Sequence, residues 1–209
     1  MNISLKILFV LFALFVFNLM FLFAQTTDCT CQKHKIGYLV SFGNQKLSFV
    51  SLALPYSYKV VFFEIEYCYN LSADKNWELD LIFQPQYNIT EYKPDNDQGK
   101  YTSGYEYGSN VGLCTRFKLI PDLFKIYTIL SIGPNYVSGV PNRQRSGFLF
   151  ANNIIAGINF QLSDHWYFDL RIGFRHLSNA GFNSPNRGIN NLIISGGVLF
   201  DLISGEINL

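Results

Sequence analysis

The chain has 209 residues, enough for one domain, and its charges nearly cancel at a formal +1, so nothing in its charge balance points to a nucleic-acid partner. Charged residues make up only 15% of it and aromatic residues 17%, with 20 Phe and 13 Tyr. A soluble domain carries about 25% charge; this balance instead suits lipid-facing strands and their aromatic girdles.

At the N-terminus, Lys6 precedes an apolar run from Ile7 to Phe23 broken only by Asn18, and Ala24-Gln25 offers a cleavage point. This is the form of an export signal over residues 1–24. An uncleaved anchor is the alternative, because the run nearly reaches the ~18 residues that span a bilayer. No second apolar run of helical spanning length follows, so a mature chain in a membrane must cross it with strands.

Residues 25–46 are expected to be an N-terminal periplasmic segment, and 47–209 an eight-stranded barrel. Cys29, Cys31, Cys68 and Cys114 all lie beyond the signal, in a compartment that permits disulfides. One or two structural disulfides are expected, one of them tying the N-terminal segment beneath the barrel. Cys29-Thr30-Cys31 is too tightly spaced for a zinc site and has no partner to complete one.

Strands are predicted near 47–54, 60–69, 77–89, 105–118, 124–137, 148–161, 165–178 and 190–203 from period-two alternation between turn signals. In the second, Val61, Phe63, Ile65, Tyr67 and Tyr69 oppose Glu64, Glu66 and Cys68. In the third, Trp77, Leu79, Leu81 and Phe83 oppose Glu78, Asp80, Gln84 and Gln86. In the sixth, Phe148, Phe150, Ile154, Ala156, Ile158 and Phe160 oppose Asn153, Gly157, Asn159 and Gln161. The first and fifth are apolar on both faces.

Runs of about 10–14 residues exceed the usual ~5–6 of soluble strands and suffice to cross a bilayer at a tilt. The faces opposite carry charges, amides and glycines, as a polar lumen would. The expected fold is therefore all-β: an eight-stranded antiparallel transmembrane β-barrel of the bacterial outer membrane. With the N-terminus in the periplasm, the outer loops are Pro55–Lys59, Thr90–Gly104, Ser138–Gly147 and Asn179–Ile189. Except in the first hairpin these are longer than the inner turns, as bacterial barrels require. Glu64 and Glu66 read as lumen charges paired with Arg116, Arg171 or Arg175.

The seventh strand carries the candidate chemistry. Phe168, Leu170, Ile172, Phe174, His176 and Ser178 share a face, because residues two apart on a strand do. If that face meets lipid, His176 and Ser178 also point outward, at the outer end of the strand. By the same parity Asn190, on the eighth strand, lies on the same surface across the loop from Ser178. A serine hydroxyl becomes a nucleophile when a neighbouring base takes its proton. His176 is that base if a third group fixes its tautomer, the part open to Asn190. Asn179 and Asn186 can orient the loop or donate to an oxyanion. The bland alternative is polar residues meeting lipid headgroups at a strand end.

Arg175-His176-Leu177-Ser178-Asn179-Ala180, followed by Pro185-Asn186 and Gly188-Ile189-Asn190 ahead of a glycine-bearing last strand, resembles the PagL-type lipid A 3-O-deacylase family. The resemblance covers about the last quarter of the chain. It implies an outer-membrane barrel that hydrolyses the acyl ester at the 3-position of lipid A in lipopolysaccharide, with no metal or organic cofactor. It implies Ser178 as nucleophile and His176 as base, with Asn179 and Asn186 matching the family's asparagines. The family's acidic third member falls here on Asn190, an amide, with Asn191 as an alternative. The expected partners are the membrane and lipid A in its outer leaflet, and a homodimer is compatible with such a barrel. Two other readings stay open: a non-catalytic barrel that stabilises the envelope or mediates adhesion, and a soluble exported barrel holding an apolar ligand.

Overall fold

Period-two alternation along successive segments leads to a sheet that closes on itself. The computed structural model describes residues 34–45, 52, 56–93, 100–120 and 123–202. It contains β1 (His34–Asn44), β2 (Tyr58–Ala73), β3 (Trp77–Tyr92), β4 (Thr102–Ile120), β5 (Phe124–Val137), β6 (Gly147–Gln161), β7 (Trp166–Ser178) and β8 (Ile189–Leu202). Each strand pairs antiparallel with the next, and β1 pairs with β8 to complete an eight-stranded barrel. Closure leaves no sheet edge, which is what lets strands exist in lipid.

Seven of the eight expected strands are found. The first is not where the pattern put it. The barrel opens with His34–Asn44, inside the stretch expected to be a periplasmic segment, and 45–57 is a connection. Of the stretch 47–54 only Leu52 is among the described residues, and it is not in a strand. In β1, Ile36, Tyr38 and Phe42 face outward while Lys35, Leu39 and Ser41 are buried. With this shift the exception in the loop pattern disappears. The connections 45–57, 93–101, 138–146 and 179–188 at one rim are all longer than 74–76, 121–123 and 162–165 at the other. The proposed signal over 1–24 and Cys29 and Cys31 lie outside the described residues.

The barrel is apolar outside and polar inside, which overturns the soluble alternative with an apolar interior. Phe63, Ile65, Phe83, Leu130, Ile154, Leu170 and Ile194 are exposed, whereas Glu66, Asp80, Glu106, Arg116, Asp169 and Arg175 are buried. Aromatic pairs mark both rims of the outer face. Trp77 and Phe117 lie with ring centroids 4.7 Å apart and Trp166 and Phe200 4.8 Å apart, both pairs tilted, towards the short-turn rim. Tyr87, Tyr105, Tyr107 and Tyr136 cluster towards the long-loop rim. Two such girdles bound the apolar band of a membrane barrel.

Buried charges are tolerable only when paired, since an isolated ion costs several kcal/mol to desolvate. The lumen meets this condition. Arg171 donates to both oxygens of Glu66, at 2.6 and 2.8 Å, and to Asp169 at 2.7 Å. Arg116 pairs with Asp80, Lys35 with Asp201 at 2.6 Å, Lys125 with Glu78 at 2.9 Å, and Arg175 with Glu106 at 2.7 Å. Of the arginine partners considered for Glu66, Arg171 is the one bonded to it.

The lumen is less uniformly polar than the sequence suggested. Tyr56, Tyr58, Val60, Phe62, Val137, Leu149, Leu177, Ile189 and Ile193 form a buried apolar cluster. It fills the lumen towards the long-loop rim, and Tyr127 and Ile129 of β5, the strand that reads as apolar on both faces, lie in a second buried cluster with Ile82 and Ile155. Cys68 and Cys114 are buried free thiols, where one or two disulfides of unassigned pairing were expected among the four cysteines. They sit on β2 and β4 with β3 between them, a separation of about 9 Å or more, beyond the ~4.4–6.8 Å Cα span of a disulfide.

Candidate active site on the outer face of β7 and β8

His176 and Asn190 stand opposite each other in the β7–β8 ladder. The backbone N–H of Asn190 donates to the Tyr56 hydroxyl at 2.7 Å, and its carbonyl accepts from the Gln45 amide at 3.2 Å. Both groups therefore point away from β7, so His176 and Asn190 are a non-hydrogen-bonded pair, the type that brings side chains closest. The result is direct contact: Asn190 Oδ1 lies 2.7 Å from His176 Nδ1. An amide oxygen only accepts, so Nδ1 is the donor in this contact, and in the neutral ring the lone pair is then on Nε2. Burial pushes the Tyr56 hydroxyl above its ordinary range, only partly offset by its bond to Asn190 and by nearby Arg143. It stays a neutral partner for the Asn190 backbone.

Ser178 is the last residue of β7, two positions from His176 on the same half-buried outward face. Their Cα atoms are about 6.6 Å apart along the strand, a span that an imidazole ring bridges. No hydrogen bond joins the serine hydroxyl to the ring among the described residues; such bonds commonly tighten only when substrate is present. Ser178 lies opposite Phe150 of β6. Phe148, Phe150 and Phe182 flank it with rings 5.4 and 6.5 Å apart, so the polar groups sit in an apolar frame.

The turn after Ser178 is built by its asparagines. Asn179 is buried; its Oδ1 accepts from Gly181 N–H at 3.0 Å and its Nδ2 donates to the Asn183 carbonyl at 2.8 Å. This is the local side-chain-to-backbone pattern that favours Asn in turns, and it carries the chain through positive φ at Ala180 (54°) and Gly181 (87°). Asn186 Oδ1 accepts from the backbone N–H of Asn179 at 3.0 Å. Of the two parts considered for these residues, the bonds present are the loop-orienting ones. Both the oxygen and the NH2 of the Asn179 amide are engaged by the loop backbone, whereas the Asn186 NH2 has no hydrogen-bond partner among the described residues.

Asn191 is not an alternative to Asn190. It is fully buried on the lumen face and donates to the Tyr58 carbonyl at 2.9 Å. Strand parity separates the two asparagines completely.

Two further residues had no part assigned to them from sequence. Gly188 has φ of 69°, and a Cβ there would lie 2.4 Å from His176 Cε1, so the backbone itself packs against the ring. Its N–H is held by Gln144 at 3.0 Å. Asn152 is opposite His176 on the β6 side. It is a half-buried amide in the outward row of β6 otherwise made of Phe148, Phe150, Ile154, Ala156, Ile158 and Phe160. That break in an apolar row was the available signal. His176 is thus flanked by an amide on each neighbouring strand.

A family model described as lipid A 3-O-deacylase (PagL) matches residues 62–198, a span that includes every residue of this row. Among solved structures, the outer membrane enzyme PagL is similar at TM-score 0.52 and 17% identity, over 81% of this chain and 99% of that one. Neisserial surface protein A is similar at TM-score 0.50 and 16% identity, over 81% and 97%. At these identities both likenesses speak to the fold. No curated protein matches the chain.

Proposed function

Because the chain belongs to the lipid A 3-O-deacylase (PagL) family, we propose that it is an outer-membrane serine esterase cleaving the 3-position acyl ester of lipid A. Ser178 is the nucleophile, His176 the general base, and Asn190 the residue that positions His176. The observation that carries this reading is the 2.7 Å contact between Asn190 Oδ1 and His176 Nδ1, because it engages Nδ1 as the donor and so makes Nε2 the nitrogen available as base in the neutral ring.

The steps follow from that tautomer. His176 Nε2 takes the proton as Ser178 Oγ attacks the ester carbonyl carbon, and the carbonyl oxygen becomes an oxyanion. The uncommitted amide of Asn186, and that of Asn152 opposite His176, supply N–H donors on this face. Collapse breaks the ester C–O bond, and the leaving sugar hydroxyl takes the proton from His176. Water, deprotonated by His176, then attacks the acyl-serine; its C–O bond breaks, Ser178 Oγ takes the proton back from His176, and a fatty acid is released. Substrate and site share one setting: an ester at the level of the outer leaflet and polar groups on the barrel's lipid-facing surface. All these groups come from one chain, so the reaction does not call for a homodimer.

The test is lipid A profiling by mass spectrometry of a Gram-negative host expressing the wild type or Ser178→Ala. Loss of one ester-linked acyl group with the wild type alone is expected. Identical profiles would favour the non-catalytic reading, envelope stabilisation or adhesion.

A further inference from the structure

The connections 138–146 and 179–188 contain Arg143, Arg145 and Arg187 and no Asp or Glu. They are zipped into a short ribbon. Arg145 N–H donates to the Pro185 carbonyl at 2.9 Å, Arg187 N–H to the Arg143 carbonyl at 3.1 Å, and Gln144 bridges Asn186 antiparallel. Bridge partners share a face, so Gln144 and Asn186 occupy one side of the ribbon and the three arginines the other. The Gln144 side chain is buried and holds Gly188 against His176.

Arg143 and Arg187 are therefore directly opposed across the ribbon with Arg145 beside them, and opposed like charges destabilise a strand pair. No carboxylate pairs with any of the three among the described residues. This contrasts with the lumen, where the buried arginines each have one. Arg143 is held in place: its guanidinium lies 4.5 Å from the centre of the Tyr56 ring, its Nη2 donates to the Arg187 carbonyl at 3.0 Å, and its Nε is buried without a partner. Arg145 and Arg187 are exposed.

We infer that Arg143, Arg145 and Arg187 form a clamp for a phosphate on the lipid headgroup, built into the ribbon that also packs Gly188 on His176. A phosphate offers the dispersed negative charge and multiple acceptors that guanidinium groups match. Bound at this rim, it anchors the headgroup while the acyl ester lies against the outer face below. The identity of the lipid rests on the deacylase reading; the charge chemistry does not.

The test uses the purified barrel in neutral detergent micelles, wild type and the double variant Arg145→Gln/Arg187→Gln, whose two sites are exposed. Equilibrium binding of lipid A is measured with its phosphates and after their enzymatic removal, and hydrolysis is followed on both. The wild type is expected to bind the phosphorylated lipid about ten-fold more tightly, and the double variant to lose most of that preference. In the double variant KM for the phosphorylated lipid should rise with the loss of binding, and kcat/KM should fall in step. Adding Arg143→Gln should abolish the remainder of the preference, with heat-modifiable gel migration confirming that the barrel is folded. Equal wild-type binding of the two lipids, or a preference retained in the triple variant, overturns the clamp. Displacement of phosphorylated lipid by equimolar inorganic phosphate would also overturn it, making the site one for the free anion. A wild type that prefers the phosphorylated lipid yet hydrolyses neither would defeat the deacylase reading and leave the clamp standing.

Discussion

Asn190 holds His176 from the neighbouring strand, oxygen to Nδ1 at 2.7 Å, where an acid would be expected to hold it. The amide fixes the tautomer but adds no full charge to stabilise the imidazolium that forms during reaction. Asn190→Ala should therefore lower kcat by about 10²–10⁴-fold while leaving KM within about two-fold. Asn190→Asp should restore or exceed the wild-type rate, by about ten-fold or ~1.4 kcal/mol if the added charge is felt in full. Steady-state kinetics on lipid A micelles decide this, and wild-type activity in the alanine variant would remove Asn190 from the mechanism.

Gly188 is the point where loop backbone meets the imidazole. Alanine there would set a methyl group 2.4 Å from Cε1 and require positive φ, which costs a non-glycine residue about 1–2 kcal/mol. Gly188→Ala should lower kcat about 10²-fold through ring displacement in a barrel that still shows folded, heat-modifiable migration. Unchanged kinetics would mean that the ring and loop can part without consequence.

Asn152 distinguishes a functional amide from an ordinary strand residue. On a lipid-facing row an amide has no structural advantage over leucine. Asn152→Leu should therefore keep or raise the urea midpoint for unfolding from lipid vesicles. If Asn152 donates to the oxyanion, the same change should lower kcat about 10²–10³-fold. Full activity in a stabilised barrel would leave Asn152 without a part in the chemistry.

Arg171 joins Glu66 and Asp169 across the lumen. Removing it leaves two buried carboxylates without their cation, and Arg171→Leu should cost about 3–5 kcal/mol. Equilibrium unfolding checks this. A loss below about 1 kcal/mol would show that water enters the lumen and screens the charges.

Strand parity made most of the site legible. Once the apolar face of β7 was set outward, His176, Ser178 and Asn190 had to share the lipid-facing surface, and the structure brings His176 and Asn190 into contact. What parity could not reveal was whatever depends on neighbours remote in sequence. β1 was missed because Gly37 and Gly43 interrupt its pattern; a Cβ at Gly37 would meet Leu199 and one at Gly43 would meet Val60. The more apolar stretch 47–54 read as the better strand. Asn152 was passed over because nothing local ties it to His176, a pairing that exists only in the β6–β7 register. The apolar cluster in the lumen was hidden for a similar reason: Phe62, Leu149 and Leu177 meet only when the barrel closes.

The central claim is ester cleavage by Ser178, and purified protein tests it most directly. Lipid A is incubated with the detergent-solubilised wild type, Ser178→Ala or His176→Ala, and both the lipid and the released acid are measured by mass spectrometry. The account predicts that the wild type removes the single acyl group at the 3-position and releases one equivalent of fatty acid. Both variants should be slower by at least about 10³-fold. Intact lipid A with the folded wild type, or equal release by Ser178→Ala, would contradict it.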